Sequence, residues 1–188
     1  MTQETQHRLD PDRLLNLLDE FGARASTDSL RGSFVETVVE LDSKSSLAAL
    51  KLLRDDESTS LRRLVDLTAI DRLGLPDVDG SRFMIVYQLH SPTLRHRLRV
   101  EVALDFESPN DAPEGPSAEK AGPSIDSVSK LWPVANWLER EVFDLFGIRF
   151  RGHPELRRIL LDMDFEGSPL RKDHPLKLRQ APLVEDIP

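Results

Sequence analysis

A chain of 188 residues with 39% hydrophobic and 31% charged residues has the size and composition of one globular domain with extensions. Its net charge of −8 speaks against nucleic acid as a partner, because phosphate binding needs a net basic face. The absence of cysteine excludes an ordinary iron–sulfur cluster ligated by this chain alone, thiol nucleophiles and disulfide exchange.

The start of the chain, MTQETQHRLDPDRLL, has no apolar core and carries acids, which argues against a targeting peptide. No apolar run approaches the roughly 20 residues that cross a bilayer. GxGxxG, GxxxxGK(S/T) and GxSxG are all missing, so neither phosphate cradling nor a nucleophile elbow has a local signature.

Asp10-Pro11 opens a first helix, with Asp as N-cap and Pro at the first turn. Leu14, Leu17, Leu18 and Phe21 make its apolar stripe, and Gly22 stops it. Phe34 to Leu41 is short and β-branched, hence a strand. A second helix is expected from Ser43 to Arg54, with Leu47, Leu50 and Leu53 inward. Leu64 to Ile70 reads as a strand, and Arg82 to Leu89 as a nearly continuous apolar one. Arg97 to Leu104 alternates: Leu98, Val100, Val102 and Leu104 face in, while Arg97, Arg99 and Glu101 face out. The link HSPTLRH suits an antiparallel hairpin.

Strands grouped between helices give the fold class as α+β, a mainly antiparallel sheet with flanking helices and an extended C-terminal tail. Residues 1–162 form the expected domain, with a flexible Pro- and Glu-rich loop at about 107–123. Residues 163–188 lack periodicity and read as an extended strap for a partner. Phe165, Leu170, Leu176, Leu178 and Leu183 serve as its pegs, and it is expected to be mobile in the free chain.

The densest block is Leu131 to Asp173. Pro133 to Phe146 reads as a helix stopped by Gly147. At steps of about 100° per residue, its apolar side chains cover most of the circumference. Only Asn136, Arg140 and Asp144 share a polar strip. Such a helix needs cover on two sides, from its own sheet and from something else.

Glu139 falls between Phe146 and Trp132, and Glu141 between Trp137 and Val134. Both are expected as desolvated carboxylates paired with arginines, from Arg140, Arg149, Arg151, Arg157, Arg158 and Arg171. An acid–base pair is the catalytic alternative, but residues two apart on a helix point about 200° apart and share no substrate. His153, Asp162, Asp164, Asp173 and His174 could be read as metal ligands. Their spacing fits no standard site, and both histidines precede proline as turn residues do. His7, His90 and His96 lie at one end or near the hairpin and carry no signal.

Glu139-Arg140-Glu141, Asp144-Leu145-Phe146, His153, Arg157 and Ile159-Leu160, at their spacing here, resemble the signature of the thirty-kilodalton subunit of respiratory complex I. That complex is the proton-pumping NADH:quinone oxidoreductase. LWPVANW before the signature and DFEGSPLRKDHPL after it are also similar to that family.

The resemblance implies a hydrophilic peripheral-arm subunit, packed chiefly against the neighbour that holds the quinone site and also against other peripheral-arm subunits. It would take part, without a redox centre or catalytic residue of its own, in a translocase that couples NADH-to-quinone electron transfer to proton pumping. FMN, iron–sulfur clusters and quinone would belong to partner subunits. The chain would reach the cytoplasmic face of the bacterial membrane only through the complex.

The interface and motif residues implied are Glu139, Arg140, Glu141, Asp144, Phe146, His153, Pro154, Arg157, Arg158, Asp164, Gly167, Pro169, Arg171, Lys172 and Asp173. The alternatives are the equivalent subunit of a membrane-bound hydrogenase or a ferredoxin-using complex, and a freestanding metal-dependent enzyme.

Overall fold

The computed structural model describes residues 9–29, 35–75, 81–104 and 122–175. Helix α1 is Pro11–Leu17, and the Asp10 carboxylate caps it by accepting from the Asp12 amide at 3.1 Å. A 3-10 turn, Asp19–Phe21, follows and ends at Gly22 in the left-handed conformation. Leu14 and Leu18 are buried.

Strand β1, Arg24–Ser29, was not expected from the sequence. Strand β2 is Val35–Asp42, and helix α2 is Ser46–Asp55, burying Ala49, Leu50 and Leu53. Strands β3 (Arg63–Asp71), β4 (Phe83–Ser91) and β5 (His96–Leu104) follow.

The main sheet has five strands in the order β1-β2-β5-β4-β3. All neighbours are antiparallel except β2 and β5, which run parallel, Val38 opposite Arg99 and Leu41 opposite Val102. The predicted hairpin is β4–β5, with Leu89 opposite Leu98 and Phe83 opposite Leu104. The predicted alternation holds, since Leu98, Val100, Val102 and Leu104 are all buried.

One face of the sheet carries the core. Phe83, Ile85, Tyr87 and Leu89 join Val39, Leu41 and the inward residues of β5 there, under α1, α2 and a third helix. His96, read as a hairpin residue without a role, is buried and bonds the Thr59 carbonyl through Nε2 at 2.7 Å.

A second sheet joins two short parallel strands, β6 (Ser124–Asp126) and β7 (Arg149–Arg151). Between them runs α3, Ala135–Phe146, packed against β3. It starts two residues later than predicted, after turns in which the Ala135 amide donates to Trp132 O and the Asn136 amide to Pro133 O. Among the described residues no helix is long and apolar enough to cross a membrane.

The loop at 107–123 lies outside the described residues except for Gly122 and Pro123. Pro123 is buried and accepts the Arg149 amide at 2.9 Å. The tail beyond Pro175 also lies outside them.

Gly147 ends α3 at φ 73°, its amide donating to Phe143 O at 3.0 Å. An added Cβ there would sit 2.9 Å from Ser168 Oγ. Gly147→Ala is therefore expected to lower stability by about 1–2 kcal/mol from the left-handed backbone alone. Urea denaturation checks this, and an unchanged midpoint would contradict it.

Candidate functional site

Helix α3 presents four different sides. Ala135, Val142 and Phe146 are buried, with Leu138 and Leu145 partly covered beside them. The other three sides hold the polar chemistry.

Glu139 is fully buried, as its place in the apolar arc predicts. Its expected arginine partner is corrected: Oε2 accepts from Ser127 Oγ at 2.6 Å and Oε1 from the Val128 amide at 2.7 Å. These donors come from the turn after β6, which the parallel β6–β7 ladder holds against the helix. His153 Nε2 is 3.9 Å from Oε2 but donates to the Asn136 carbonyl at 3.1 Å. Its Nδ1 accepts the Glu155 amide at 3.0 Å. Burial pushes the Glu139 carboxyl up to about 7, against the opposing pull of the Ser127 and Val128 bonds.

The strip Asn136–Arg140–Asp144 is not a solvated face. Arg140 and Asp144 are both buried under the segment that follows β7. Arg140 donates from Nε to Arg157 O at 3.1 Å and from Nη2 to Arg158 O at 3.4 Å, and its guanidinium lies 5.0 Å from the Trp137 ring centre.

Asp144 Oδ2 accepts the amides of Ile159, Leu160 and Leu161 at 2.8–3.0 Å, while Oδ1 accepts from Arg158 Nη1 at 2.7 Å. Burial alone would raise the Asp144 carboxyl. The three amides and Arg158 more than offset it and hold the group below the usual aspartate value. Helix polarity thus becomes the track on which residues 153–161 dock without regular structure of their own.

The first part of the expected 163–188 tail, as far as Pro175, is irregular and bonded to the domain. Asp71, at the end of β3, is buried and takes a two-pronged bond from Arg82, at 2.9 and 2.7 Å. It also accepts the amides of Leu73 at 3.0 Å and Lys172 at 2.8 Å. Arg82 reaches on to Asp173 at 2.9 Å, which Arg171 also grips. Both guanidiniums lie over the Phe83 ring, at 4.7 and 5.2 Å. Leu170 donates to Leu145 O at 3.0 Å, and Phe165 stacks with His174 at 6.1 Å. No helix or strand occurs in 152–175.

Glu141 is exposed, a correction to the expected desolvated carboxylate. Its flanking residues explain why: Trp137 is 61% and Val134 46% exposed, so the arc they widen faces outward. Leu160, Met163 and Leu170 are exposed as well. Of the other candidate arginines, Arg151 pairs with Asp126 at 2.9 Å and Arg157 with Glu155 at 3.0 Å.

The signature thus divides. Glu139, Arg140, Phe146, Asp144 and Arg158 build the support. Glu141, Pro154, Arg157, Asp164, Gly167 and Lys172 lie on the surface above it. The sequence reading missed Asp71, Arg82, Ser127 and Ser129, which carry no motif.

Among the described residues no group of three or more His, Asp or Glu side chains is placed to share a metal ion. The suggested ligands are separated, with His153 engaged by backbone and Asp173 by two arginines. An open cleft of about 360 Å³ lies near the start of α3, lined by Ser129, Lys130, Pro133, Asn136, Gly152 and Pro154.

Residues 39–180 match the family described as respiratory-chain NADH dehydrogenase, 30 Kd subunit. An NADH-quinone oxidoreductase subunit of Acidithiobacillus ferrooxidans is 43% identical over 164 residues, covering 86% of this chain and 73% of that protein. The same-named subunit of Trichlorobacter lovleyi is 45% identical over 147 residues, 78% of this chain and 77% of its own.

Among solved structures, a trypsin-resistant fragment of Nqo5 superposes with a TM-score of 0.57 at 29% identity, over 77% of this chain and 98% of the fragment. A chain of an archaeal membrane-bound sulfane sulfur reductase shares the fold, with a TM-score of 0.62 at 20% identity over 88% of this chain and 85% of that one. With the signature residues forming the support on which the C-terminal segment docks, this chain belongs to the 30-kDa subunit family of the respiratory-chain NADH dehydrogenase, or NADH-quinone oxidoreductase.

Proposed function

We propose that the chain is a non-redox, hydrophilic subunit of the peripheral arm of a proton-translocating NADH:quinone oxidoreductase. In this reading it supports the neighbour that holds the quinone site, and contributes to electron transfer by keeping that neighbour in place. FMN, iron–sulfur clusters and quinone then reside in partner subunits, and the chain meets the cytoplasmic face of the membrane only through the complex. Family membership and the cysteine-free sequence support this.

The carrying observation is a set of exposed large apolar side chains at and near α3 and on the docked segment. Trp137, Val134, Leu160, Met163 and Leu170 are exposed, with Glu141, Arg157 and Lys172 exposed alongside. Exposed large apolar residues suit a protein interface, and tryptophan is a frequent anchor in one. Glu139, Arg140, Asp144, Phe146, His153, Arg158, Pro169, Arg171 and Asp173 serve the interface by shaping that surface. Asp164, Gly167 and Pro154 complete it.

Trp137→Ala is expected to weaken docking by about 2 kcal/mol or more. Native gels should show a reduced yield of complex, while quinone-reductase turnover per assembled particle stays normal. Full assembly with turnover lost would overturn the interface reading.

A second reading is favoured by the shared fold of the sulfane sulfur reductase chain: the equivalent subunit of a related complex with a different electron-input module. The composition of the purified native complex decides, since NADH- and flavin-binding subunits should co-purify under the first reading only.

A further inference from the structure

Glu139 is a buried acid in unusual company. Both of its close donors, Ser127 Oγ and the Val128 amide, are neutral. His153 is the nearest basic side chain, and its ring is already committed. Nδ1 accepts from the Glu155 amide, so Nε2 bears the ring proton and directs it to the Asn136 carbonyl.

From β4, Tyr87 sets a fully buried hydroxyl with no hydrogen-bond partner toward the same region. Its ionisation is pushed far up, first by burial and then by the charges of Glu139 and of Asp126 on β6. On α3 itself Arg140 turns to the carbonyls of Arg157 and Arg158. Among the described residues no lysine or arginine pairs with Glu139. A carboxylate so placed ionises reluctantly, and its midpoint is raised to about 7.

A polar route leads from this carboxyl to solvent. Ser127 Oγ lies 2.6 Å from Glu139 Oε2 and 2.7 Å from Ser129 Oγ. Ser129 lines the open cleft together with Lys130, Pro133, Asn136, Gly152 and Pro154. The two hydroxyls therefore link a residue of the cleft wall, by hydrogen bonds, to a group with no exposure of its own.

We propose that Glu139 is a proton-binding site, filled and emptied from the cleft through the hydroxyls of Ser129 and Ser127. A hydronium ion in the cleft gives a proton to Ser129 Oγ and becomes water. Ser129 passes its original proton to Ser127 Oγ, and Ser127 passes its own to Glu139 Oε2. Each serine keeps one proton and the carboxylate becomes a neutral acid. The bonds then run outward, with Glu139 donating to Ser127, Ser127 to Ser129, and Ser129 facing the cleft. Release is the reverse.

The site does not depend on assembly, so the full chain alone tests it. Carbon-13 NMR of the chain, labelled at the glutamate carboxyls, should show one resonance titrating near pH 7, about two and a half units above the ordinary glutamate value. That resonance should vanish in Glu139→Gln.

Ser127→Ala removes a bond to the ionised form and should raise the midpoint further, by about one unit. This shift identifies the resonance even if Glu139→Gln does not fold. Ser129→Ala leaves both bonds to the carboxylate intact. It should hold the midpoint but slow exchange between the two forms by about tenfold or more, read as line broadening near the midpoint. A Glu139 carboxyl that titrates with the exposed glutamates would overturn the site. Wild-type exchange in Ser129→Ala would overturn the route.

Discussion

Asp144→Ala is expected to destabilise the chain by roughly 3–5 kcal/mol, the range for breaking a buried charged contact by removing one partner. The carboxylate is fully buried and holds three consecutive amides and the Arg158 guanidinium. Without it the amides of Ile159, Leu160 and Leu161 lose their acceptor, and Arg158 is left with the carbonyls of Asp144 and Gly167 and the face of the Phe165 ring.

The loss should appear as a lower urea midpoint and faster amide exchange at 159–161. The folded carboxyl lies below its ordinary value, so its contribution is present above the ordinary aspartate range and disappears as pH falls through the folded value. A change below about 1 kcal/mol would mean that the segment finds other partners.

Asp71→Ala should be the next most damaging change. Asp71 joins the end of β3 to Arg82 and to the Lys172 amide, and its side chain is 2% exposed. The Arg82 bond, first among the causes, overcomes burial and draws its carboxyl down to about 2 from 3.8. At about 1.4 kcal/mol per unit, that corresponds to roughly 2 kcal/mol of pH-dependent stability at neutral pH.

The sign follows from the depressed value. The contribution is complete above about pH 4 and lost as pH falls toward about 2. Stability of the wild type and Asp71→Ala, measured by denaturant at several pH values, should differ most near pH 7 and converge in acid. Trypsin should also cut faster near Arg171 and Lys172 in the variant. Parallel stability curves would show that the clasp has no ionic share.

The sheet could be read from sequence wherever one strand carries its own period. β5 alternates strictly, and β4 is apolar because its inner residues face the core while Met84 and Val86 on the opposite side are buried too. β1, with the sequence RASTDS, has no such pattern; it exists because β2 offers an edge. β6 and β7 are three residues each, too short for any periodicity.

The burial of Glu139 was legible from its apolar neighbours on the helical wheel. Its partners were not, because one is a main-chain amide and the other a serine outside the charged block. The same wheel misplaced Glu141, since apolar neighbours indicate burial only when something covers them. It could not show that the Arg140–Asp144 strip is buried, because what covers it is an irregular segment held by main-chain bonds.

The parallel contact between β2 and β5 has a further consequence, for the order in which the chain assembles. Val38 meets Arg99, about sixty residues later, whereas β3, β4 and β5 form an uninterrupted antiparallel run. Loop closure for the distant pair is slow, and on the ribosome β2 emerges several seconds before its partner exists, at roughly 5–20 residues per second. The β1–β2 ribbon therefore waits with an unpaired edge, and a two-stranded ribbon is marginal by itself. Arg24 and Glu40 are exposed and opposite each other in that ribbon, and charged side chains on a strand disfavour its pairing with another chain.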